Sequence, residues 1–324
     1  MNDFANNPSD TTLVQIARMY YLDYKSQQEI ADEIGVSRSL VALYLKRARA
    51  RGIVSFEIRN PQDDYEYLEG YLVERTKVPR VTIVPTATNA ALTRRSVASA
   101  LARHLEDSLQ DGDVLGLGFG RTMHELPWII APRRARNITV VPLMGESASS
   151  YTRSYSQINQ VVLQISQAFD GTPLFLLAPL QVERPELCRQ LMADSSIKHI
   201  VELWPRLNHV CVGIGTVPPL EGEVVYVGEE NVERYQKCGA IGDTCTRYFD
   251  VDGNYILTDL HERTIGINFE QLRQAQAINV VASGTGKVDA LNAFIKTGMV
   301  THLIIDEELG RVLLHKISQQ TTNA

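Results

Sequence analysis

Residues 27–49, QQEIADEIGVSRSLVALYLKRAR, carry the spacing of a helix-turn-helix, and this constrains the fold of the chain more than any other segment. Counted from the first residue, Ala31 stands at position five, where two helices must touch closely. Gly35 stands at position nine, where the turn needs a positive φ that glycine adopts without steric cost. Val41 and Tyr44 fall on the inward face of the second helix. The segment predicts DNA binding; the alternative is an ordinary helical hairpin inside a larger domain.

The flanking residues complete a small domain, predicted over residues 1–59. Leu13 to about Tyr24 has the periodicity of a preceding helix, and Ile53–Ile58 alternates like a strand. Three helices and a strand make a winged-helix-like variant. The Asn60-Pro61 dipeptide breaks the pattern, and an acidic and aromatic stretch predicts a connecting helix or linker over residues 60–79.

Charge favours the second helix of the motif as the surface that meets phosphates. The net charge of −6 argues against a chain that coats nucleic acid along its whole surface, but a basic footprint is local. Between Ser37 and Arg59 the only acid is Glu57. The basic residues there are Arg38, Lys46, Arg47, Arg49, Arg51 and Arg59.

A helix over residues 38–50 would turn Arg38, Ala42, Lys46 and Arg49 to one face, with Ser39 beside them. This face is predicted to enter the major groove, where the N-terminal residues lie nearest the base edges. Arg38 and Ser39 are expected to read bases, and Ser37 to cap the helix. Lys46, Arg47 and Arg49 are expected to hold phosphates. The alternative for each basic residue is a solvated surface charge.

Several functional classes are excluded or disfavoured by composition. The four cysteines form no CxxC pair and the seven histidines no HExxH, so reduced thiols and no metal site are expected. No cofactor is expected. The N-terminus lacks the regions of a signal peptide, and no apolar run approaches a membrane span. The expectation is a cytoplasmic protein with no membrane partner.

From about residue 80 the pattern changes to short β-rich runs that alternate with helical stretches, which predicts a mostly parallel α/β sheet covered on both faces. The effector domain is predicted over residues 80–324, with any site at the carboxyl ends of the strands. Strands are predicted at 81–84, 114–117, 138–143, 174–177, 209–214, 278–282 and 302–305. Helices are predicted at 91–109, 122–130, 156–169, 185–192, 269–276, 288–297 and 307–315.

A glycine-rich segment, DVLGLGFGRT at 113–122, runs from a predicted strand into a predicted helix. Such a loop lets the backbone approach an anion, and the helix start adds partial positive charge. Arg121 and the Thr122 hydroxyl would complete a phosphate cradle. The third glycine of a dinucleotide fold is missing. The alternative is a tight turn whose glycines serve packing.

Two further loops contain candidate ligand groups. Ser283–Lys287, SGTGK, resembles a phosphate-binding loop but lacks its first glycine and its final Ser or Thr, which excludes ATP hydrolysis. Lys287 can still bind an anion or a sugar hydroxyl. Asp243, at the end of GAIGD, suits hydrogen bonds to sugar hydroxyls, and capping of the next element is the equally weighted alternative.

The motifs together resemble the SorC family of bacterial transcriptional regulators, which is related to DeoR-like sugar-responsive repressors. The resemblance spans nearly the whole chain. It is carried by the helix-turn-helix at 26–54 and by GLGFGRTM at 116–123, VPLMG at 141–145, FLLAP at 175–179, VGIG at 212–215, GAIGDTCTRYFDVDG at 239–253, RTIGI at 263–267, VVASGTGKVDAL at 280–291 and IIDEE at 304–308.

The resemblance implies a transcription factor with a Rossmann-like effector domain that looks like sugar-phosphate isomerases without their activity. It implies a sugar or sugar-phosphate effector, operator DNA as partner, and a homo-oligomer, either a dimer or a tetramer. Carried over by motif, the phosphate would sit on Gly118, Phe119, Gly120, Arg121 and Thr122, and the sugar would meet Asp243 and Lys287.

Three functions follow as hypotheses. The first is a ligand-responsive regulator of a sugar or polyol catabolic operon. The second is a sugar-phosphate isomerase or deaminase with an appended DNA-binding domain; Asp243 and Asp306 are its candidate carboxylates, and His124 or His261 its candidate acid–base group. The third, a nucleotide or redox sensor that binds a dinucleotide at the glycine-rich loop, is disfavoured by the missing third glycine.

Overall fold

A computed structural model describes residues 8–55, 65–131, 136–147, 157–221 and 226–322 of the chain. The chain divides into two compact units, Met1–Asp63 and Asp64–Ala324. In the described parts, no helix combines the length and the apolar character needed to cross a bilayer.

The first unit contains three helices, α1 (Asp10–Tyr21), α2 (Gln27–Ile34) and α3 (Arg38–Ala50). A serine caps each of them: the hydroxyl groups of Ser9, Ser26 and Ser37 each accept a hydrogen bond from a backbone N–H in the first turn. The cap of α2 is reciprocal, because the Glu29 carboxylate accepts from the Ser26 N–H at 2.8 Å. Local sequence therefore sets where each helix begins.

The apolar faces of the three helices form one core. The side chains on the predicted inward face of α3 are buried, which confirms that prediction, and Ala31 is 1% exposed where α2 meets its neighbours. The buried set is Leu13, Ile16, Ala17, Met19, Ile30, Ala31, Val41, Tyr44, Leu45 and Ala48. Gly35 ends α2 with φ +69°, as the turn requires.

The predicted wing strand is not formed by the described residues of Ile53–Ile58. Ile53 and Val54 lie in a bend, and their N–H groups both donate to the carbonyl of Ala48, at 2.9 and 3.3 Å, so their backbone closes α3. Residues 56–58 lie outside the described residues. The described part of this unit is therefore three-helical.

The second unit begins with α4 (Glu66–Thr76), which falls inside the predicted connecting segment 60–79. This helix packs on the rest of the same unit. The Glu69 carboxylate accepts from the Ile83 N–H at 2.7 Å, and the Tyr65 hydroxyl donates to Glu307 at 3.0 Å.

Ten strands and nine further helices complete the described part of this unit. The strands are β1 (Arg80–Val84), β2 (Val114–Leu117), β3 (Thr139–Pro142), β4 (Thr172–Pro173), β5 (His209–Gly213), β6 (Gly215–Thr216), β7 (Gly242–Thr244), β8 (Arg247–Phe249), β9 (Ala277–Ala282) and β10 (His302–Asp306). The helices are α5 (Ala90–Ser108), α6 (Arg121–Glu125), α7 (Ile158–Phe169), α8 (Pro185–Ala193), α9 (Ser195–Val201), α10 (Glu229–Lys237), α11 (Phe269–Leu272), α12 (Val288–Lys296) and α13 (Glu307–Thr322).

Seven strands form one parallel sheet in the order β1-β10-β9-β5-β2-β3-β4. Every residue of β10 and all but the first of β9 are buried, which is the pattern of strands covered on both faces. The predicted α/β class with a mostly parallel sheet is confirmed. Its core includes the large buried side chains Trp204, Phe169 and Phe294.

Several sequence-based assignments differ from the structure. Leu174–Leu177 is not a strand, because Thr172–Pro173 pairs with β3 instead and Leu177 is 82% exposed. The sequence patterns also gave no sign of α9, of α10 or of a second sheet. That sheet is antiparallel, with β6, β7 and β8 in order.

Replacing Gly35 by alanine tests the left-handed turn of the helix-turn-helix. A Cβ at this position meets nothing within 4 Å, so only the positive φ opposes the substitution. We expect Gly35→Ala to lower the free energy of unfolding by about 1 kcal/mol. Gly70, exposed inside α4 without a positive φ, is the matched control, and Gly70→Ala should stabilise by about 0.5–1 kcal/mol. Urea unfolding followed by circular dichroism measures both, and stabilisation by Gly35→Ala would contradict the turn geometry.

Candidate functional site

The outer face of α3 is exposed and basic. Arg38, Ser39, Ala42 and Lys46 are all exposed on the face opposite the buried stripe. Ser37 caps the helix through the Leu40 N–H at 3.3 Å, and its hydroxyl lies 3.0 Å from that of Ser39. The first turn of α3 therefore presents two hydroxyl groups and a guanidinium side by side.

The last turn of α3 is tied to α1 rather than wholly open to solvent. The Arg49 guanidinium donates to the Tyr21 hydroxyl through Nε at 3.0 Å and Nη2 at 2.7 Å, and it lies 5.9 Å from the centre of the Tyr21 ring. Arg47 is half-buried. The cation of Arg49 is thus held in place on the exposed surface.

A cleft opens in the second unit at the carboxyl ends of β2, β5 and β9. It encloses about 940 Å³ of empty space, including the open solvent at its mouth. Loops after these strands and the β7–β8 hairpin form its walls. The lining residues with polar or aromatic side chains are Arg94, Phe119, Arg121, Thr122, Thr216, Tyr226, Asp243, Cys245, Thr246, Tyr248, Ser283 and Lys287.

The glycine-rich loop places Phe119, Gly120, Arg121 and Thr122 on the cleft, but not Gly118. The Gly118 N–H donates to the carbonyl of Cys211 at 2.9 Å. A Cβ at Gly118 would lie 3.2 Å from the Cys245 Sγ and 3.3 Å from Val212. Gly118, which was predicted to contact the anion, therefore lies outside the lining: its N–H bonds the neighbouring chain segment, and its missing side chain leaves room for packing.

Gly120 begins the short helix α6 with φ +146°. The His124 N–H donates to the Gly120 carbonyl at 2.9 Å and closes the first turn. Thr122 and Met123 lie before His124 in the helix. Their N–H groups therefore have no acceptor within the helix itself. Both residues line the cleft.

Asp243 lies at the centre of β7 and faces the cleft from the hairpin. Its Oδ2 accepts from the Thr246 N–H at 3.1 Å. Across the small sheet, a Cβ on Gly215 would come within 2.1 Å of its Oδ1, so only glycine leaves room for this carboxylate. Cys245 and Thr246 form the hairpin turn with φ +51° and +57°, a left-handed conformation that costs free energy in residues other than glycine.

Lys287 joins two of the loops that form the cleft. It ends a 3-10 turn, Thr285–Lys287, which follows Gly284 with φ +89° after β9. Its ammonium group donates to the carbonyl of Ile214 at the end of β5. The cation therefore lies between the two strand ends.

Asp306 is fully buried at the end of β10 and does not line the cleft. Its carboxylate accepts from the Thr86 hydroxyl at 2.9 Å, the Gly284 N–H at 2.7 Å and the Leu309 N–H at 3.2 Å. The side chain thereby fixes the loop that carries Lys287 and caps α13.

The other catalytic candidates are not brought together either. His124 and His261 are not among the residues that line the cleft. The His261 ring contacts the Tyr255 hydroxyl and the Arg247 guanidinium, and burial together with this cation lowers its pKa. Of the four groups considered for acid–base chemistry, Asp243 alone faces the cleft. The part of the chain that the structure describes holds no cluster of metal-ligating side chains.

Arg94 is a cleft residue that the motifs did not indicate. It comes from α5, far from the glycine loops in sequence, and precedes the buried residues Val97 and Ala98 by three and four positions. A cation on the apolar face of a helix is the signal that would have found it. Arg94, Arg121 and Lys287 give the described lining three cations against the single carboxylate of Asp243, which favours an anionic ligand with hydroxyl groups.

Comparison with known proteins assigns a family. Residues 61–315 match the model of the family described as "Putative sugar-binding domain". The deoxyribonucleoside regulator of Bacillus subtilis is 28% identical over 308 residues, covering 94% of this chain and 97% of that protein. The sorbitol operon regulator of Klebsiella pneumoniae is 24% identical over 316 residues, covering 95% and 99%.

Solved structures of transcriptional regulators have a similar fold. The crystal structure of the full-length sorbitol operon regulator from Klebsiella pneumoniae superposes with a TM-score of 0.77 at 24% identity. The match covers 95% of this chain and all of that one. A domain of a possible sugar-binding transcriptional regulator from Arthrobacter aurescens TC1 superposes with a TM-score of 0.71 at 24% identity and covers 79% of this chain.

Replacing Asp306 tests its structural role beneath the cleft. Asp306→Ala leaves three donors without their acceptor, and we expect a loss of about 3 kcal/mol in the free energy of unfolding. Urea unfolding followed by the fluorescence of the buried Trp204 reports on this unit. Asp289, whose exposed carboxylate pairs with Lys316 at 2.8 Å, is the control, and Asp289→Ala should cost less than about 0.5 kcal/mol. Equal effects of the two variants would contradict the assigned role.

Proposed function

The chain belongs to the SorC family of regulators with a sugar-binding domain, and from this premise we propose that it is a DNA-binding transcriptional regulator of a sugar or polyol catabolic operon. A sugar or sugar-phosphate effector in the cleft controls it. The observation that carries the proposal is the presence, in one chain, of a capped helix with an exposed basic face and of a cationic cleft at the carboxyl ends of parallel strands.

Operator recognition is assigned to α3. With its buried stripe on α1 and α2, its outer face enters the major groove, and Arg38 and Ser39 in the first turn read base edges. Ala42 lies one turn further along the same face. Lys46, Arg47 and Arg49 hold phosphates, and the bond from Arg49 to Tyr21 orients its guanidinium for this purpose.

Effector recognition is assigned to the cleft. Gly120, Arg121 and Thr122 at the start of α6 suit a phosphate, since N–H groups, a hydroxyl and a guanidinium converge there. Asp243 and Lys287 suit sugar hydroxyls, and Phe119 forms the adjoining wall. The names of the relatives, a deoxyribonucleoside regulator and a sorbitol operon regulator, support a carbohydrate or polyol of this size.

Control of DNA binding requires an effector that distinguishes two states of the protein. We assign the two states to arrangements of subunits in a homo-oligomer, a dimer or a tetramer, acting in the cytoplasm. No catalytic role is proposed, because relatives along nearly the whole chain are named as regulators and Asp306, a candidate base, is committed to three donors.

A thermal-shift panel of sugars and polyols, each beside its phosphorylated form, tests the proposal. A ligand at about 100 times its dissociation constant should stabilise the protein by roughly 2.7 kcal/mol. The stabilising compound should also change the affinity of the protein for DNA from its own promoter region. Turnover of a sugar phosphate by the purified protein, or the absence of any stabilising member, would contradict it.

Arg38→Ala tests base reading by α3. The loss of a bidentate contact to guanine should weaken operator binding by about 1–3 kcal/mol and relax specificity at one position. Lys46→Ala is the comparison, and it should weaken binding to all sequences alike. Gel-shift titrations against a set of singly substituted operators measure both, and an equal loss on every sequence for Arg38→Ala would refute base reading.

Thr122→Val tests the phosphate position. Removal of the hydroxyl should weaken a phosphorylated effector roughly tenfold, as expected for one hydrogen bond to a charged group, and leave its free sugar unchanged. Thr122→Ser retains the hydroxyl and serves as the control. Calorimetric titration measures the affinity of each variant for both ligands. An equal loss of affinity for the sugar and the sugar phosphate would show that Thr122 does not bind the phosphate.

A further inference from the structure

Three histidines meet at the amino ends of the parallel strands. The cleft lies at the opposite, carboxyl ends. His209 and His302 begin β5 and β10, and His104 comes from the overlying helix α5. The ring centres of His104 and His302 are 4.3 Å apart, and those of His104 and His209 are 6.5 Å apart. His302 is 3% exposed and the other two rings are partly buried.

The hydrogen bonds of His104 define its charge. Its Nδ1 lies 3.2 Å from the Arg80 guanidinium, which can only donate. Nδ1 must therefore carry a lone pair, and the ring is neutral. A proton on this nitrogen would break the bond and set an imidazolium against a guanidinium.

The other two rings lack acceptors for a second proton. The Nδ1 atoms of His209 and His302 are buried and have no hydrogen-bond partner within the described chain. An imidazolium has two N–H donors, so protonation would bury at least one unsatisfied N–H in each ring. The adjacent Asn279 is fully buried, and its side chain raises the pKa of His104, an effect that the burial of the ring outweighs.

Among the described neighbours of the cluster, the carboxylates of Asp107 and Asp113 favour protonation and the cation of Arg80 opposes it. From β1 the cation Arg80 faces His104, and from the approach to β2 the Asp113 carboxylate lies 3.7 Å from His209. The Asp107 carboxylate on α5 raises the pKa of His104, but burial has the larger effect. His302 has the Thr82 hydroxyl at 2.9 Å, with Arg80 and His104 as its charged or titratable neighbours.

We propose that His104, His209 and His302 form an acid-sensitive latch at the amino ends of the strands, which stabilises this unit only while the three imidazoles are neutral. Acidification then lowers the free energy of unfolding of this unit. The latch is a regulatory property independent of the effector, because its residues and those of the cleft lie at opposite ends of the strands.

The direction of the pH effect follows from burial. Burial, with smaller contributions from Arg80 and a neighbouring histidine, lowers the pKa of His104 to about 4 and that of His302 to about 3, and burial also lowers that of His209. In the unfolded chain the pKa is about 6.5. Stability is thus fully present above this value and is lost as pH falls below it toward the folded pKa values. Between pH 7.5 and pH 5, His104 and His302 should each reduce the folding equilibrium constant about thirtyfold.

Urea unfolding of the full chain at pH 7.5 and pH 5, followed by Trp204 fluorescence, tests the latch. His104→Gln and His302→Gln should each remove about thirtyfold of the acid-induced loss. His199, exposed on α9 away from the cluster, is the matched control, and His199→Gln should leave the acid-induced loss unchanged. Equal acid sensitivity of all three variants and the wild type would overturn the proposal.

If the cluster variants fail to fold, a measurement on the unmodified protein tests the proposal instead. The ring-proton resonances of His104 and His302, assigned by NMR, should show no titration from pH 8 to pH 5. Titration of either ring with a midpoint near the ordinary value of about 6.5 would overturn the latch. Binding of the stabilising sugar at pH 7.5 should be the same in the wild type and in His104→Gln.

Discussion

The parallel sheet is buried on both faces, and this constraint limits where the charged side chains of the second unit can lie. A fully buried strand such as β10 has no solvated face, so charged and hydrogen-bonding side chains collect at the strand ends. At the carboxyl ends the loops after β2, β5 and β9 form the cleft. At the amino ends the same geometry collects the histidine cluster, which therefore differs from the cleft in place and in chemistry.

Sequence periodicity predicted those parts of the fold that depend on local physics. The two faces of α3 and its serine cap follow from helix geometry and from orphan N–H groups, and both are seen. The prediction of a wing strand was wrong over Ile53–Ser55. The N–H groups of Ile53 and Val54 bond the Ala48 carbonyl and close α3, despite the β-rich sequence. The β7–β8 hairpin was missed because its turn uses Cys245 and Thr246, where a hairpin signal would show glycine or asparagine.

The sequence motifs indicated which segments form the cleft, but not which residues of each motif face it. The glycine-rich loop was located from sequence, yet spacing could not show that Gly118 closes onto the neighbouring strand while Gly120 opens toward solvent. That distinction depends on the neighbour, here Cys211 and its carbonyl oxygen. Arg94 was missed for the same reason, since its approach to the cleft depends on how α5 crosses the sheet.

The hydrogen bonds around the cleft indicate which contacts a ligand bound there would change. Lys287 already donates to the Ile214 carbonyl, the Asp243 carboxylate already accepts from the turn at Thr246, and Asp306 holds the loop of Lys287 from below. A ligand that engages Lys287 or Asp243 must share or replace these bonds, and so changes the free energy of loops after two different strands at once. A ligand can shift a conformational equilibrium only through such a difference in contacts between two states.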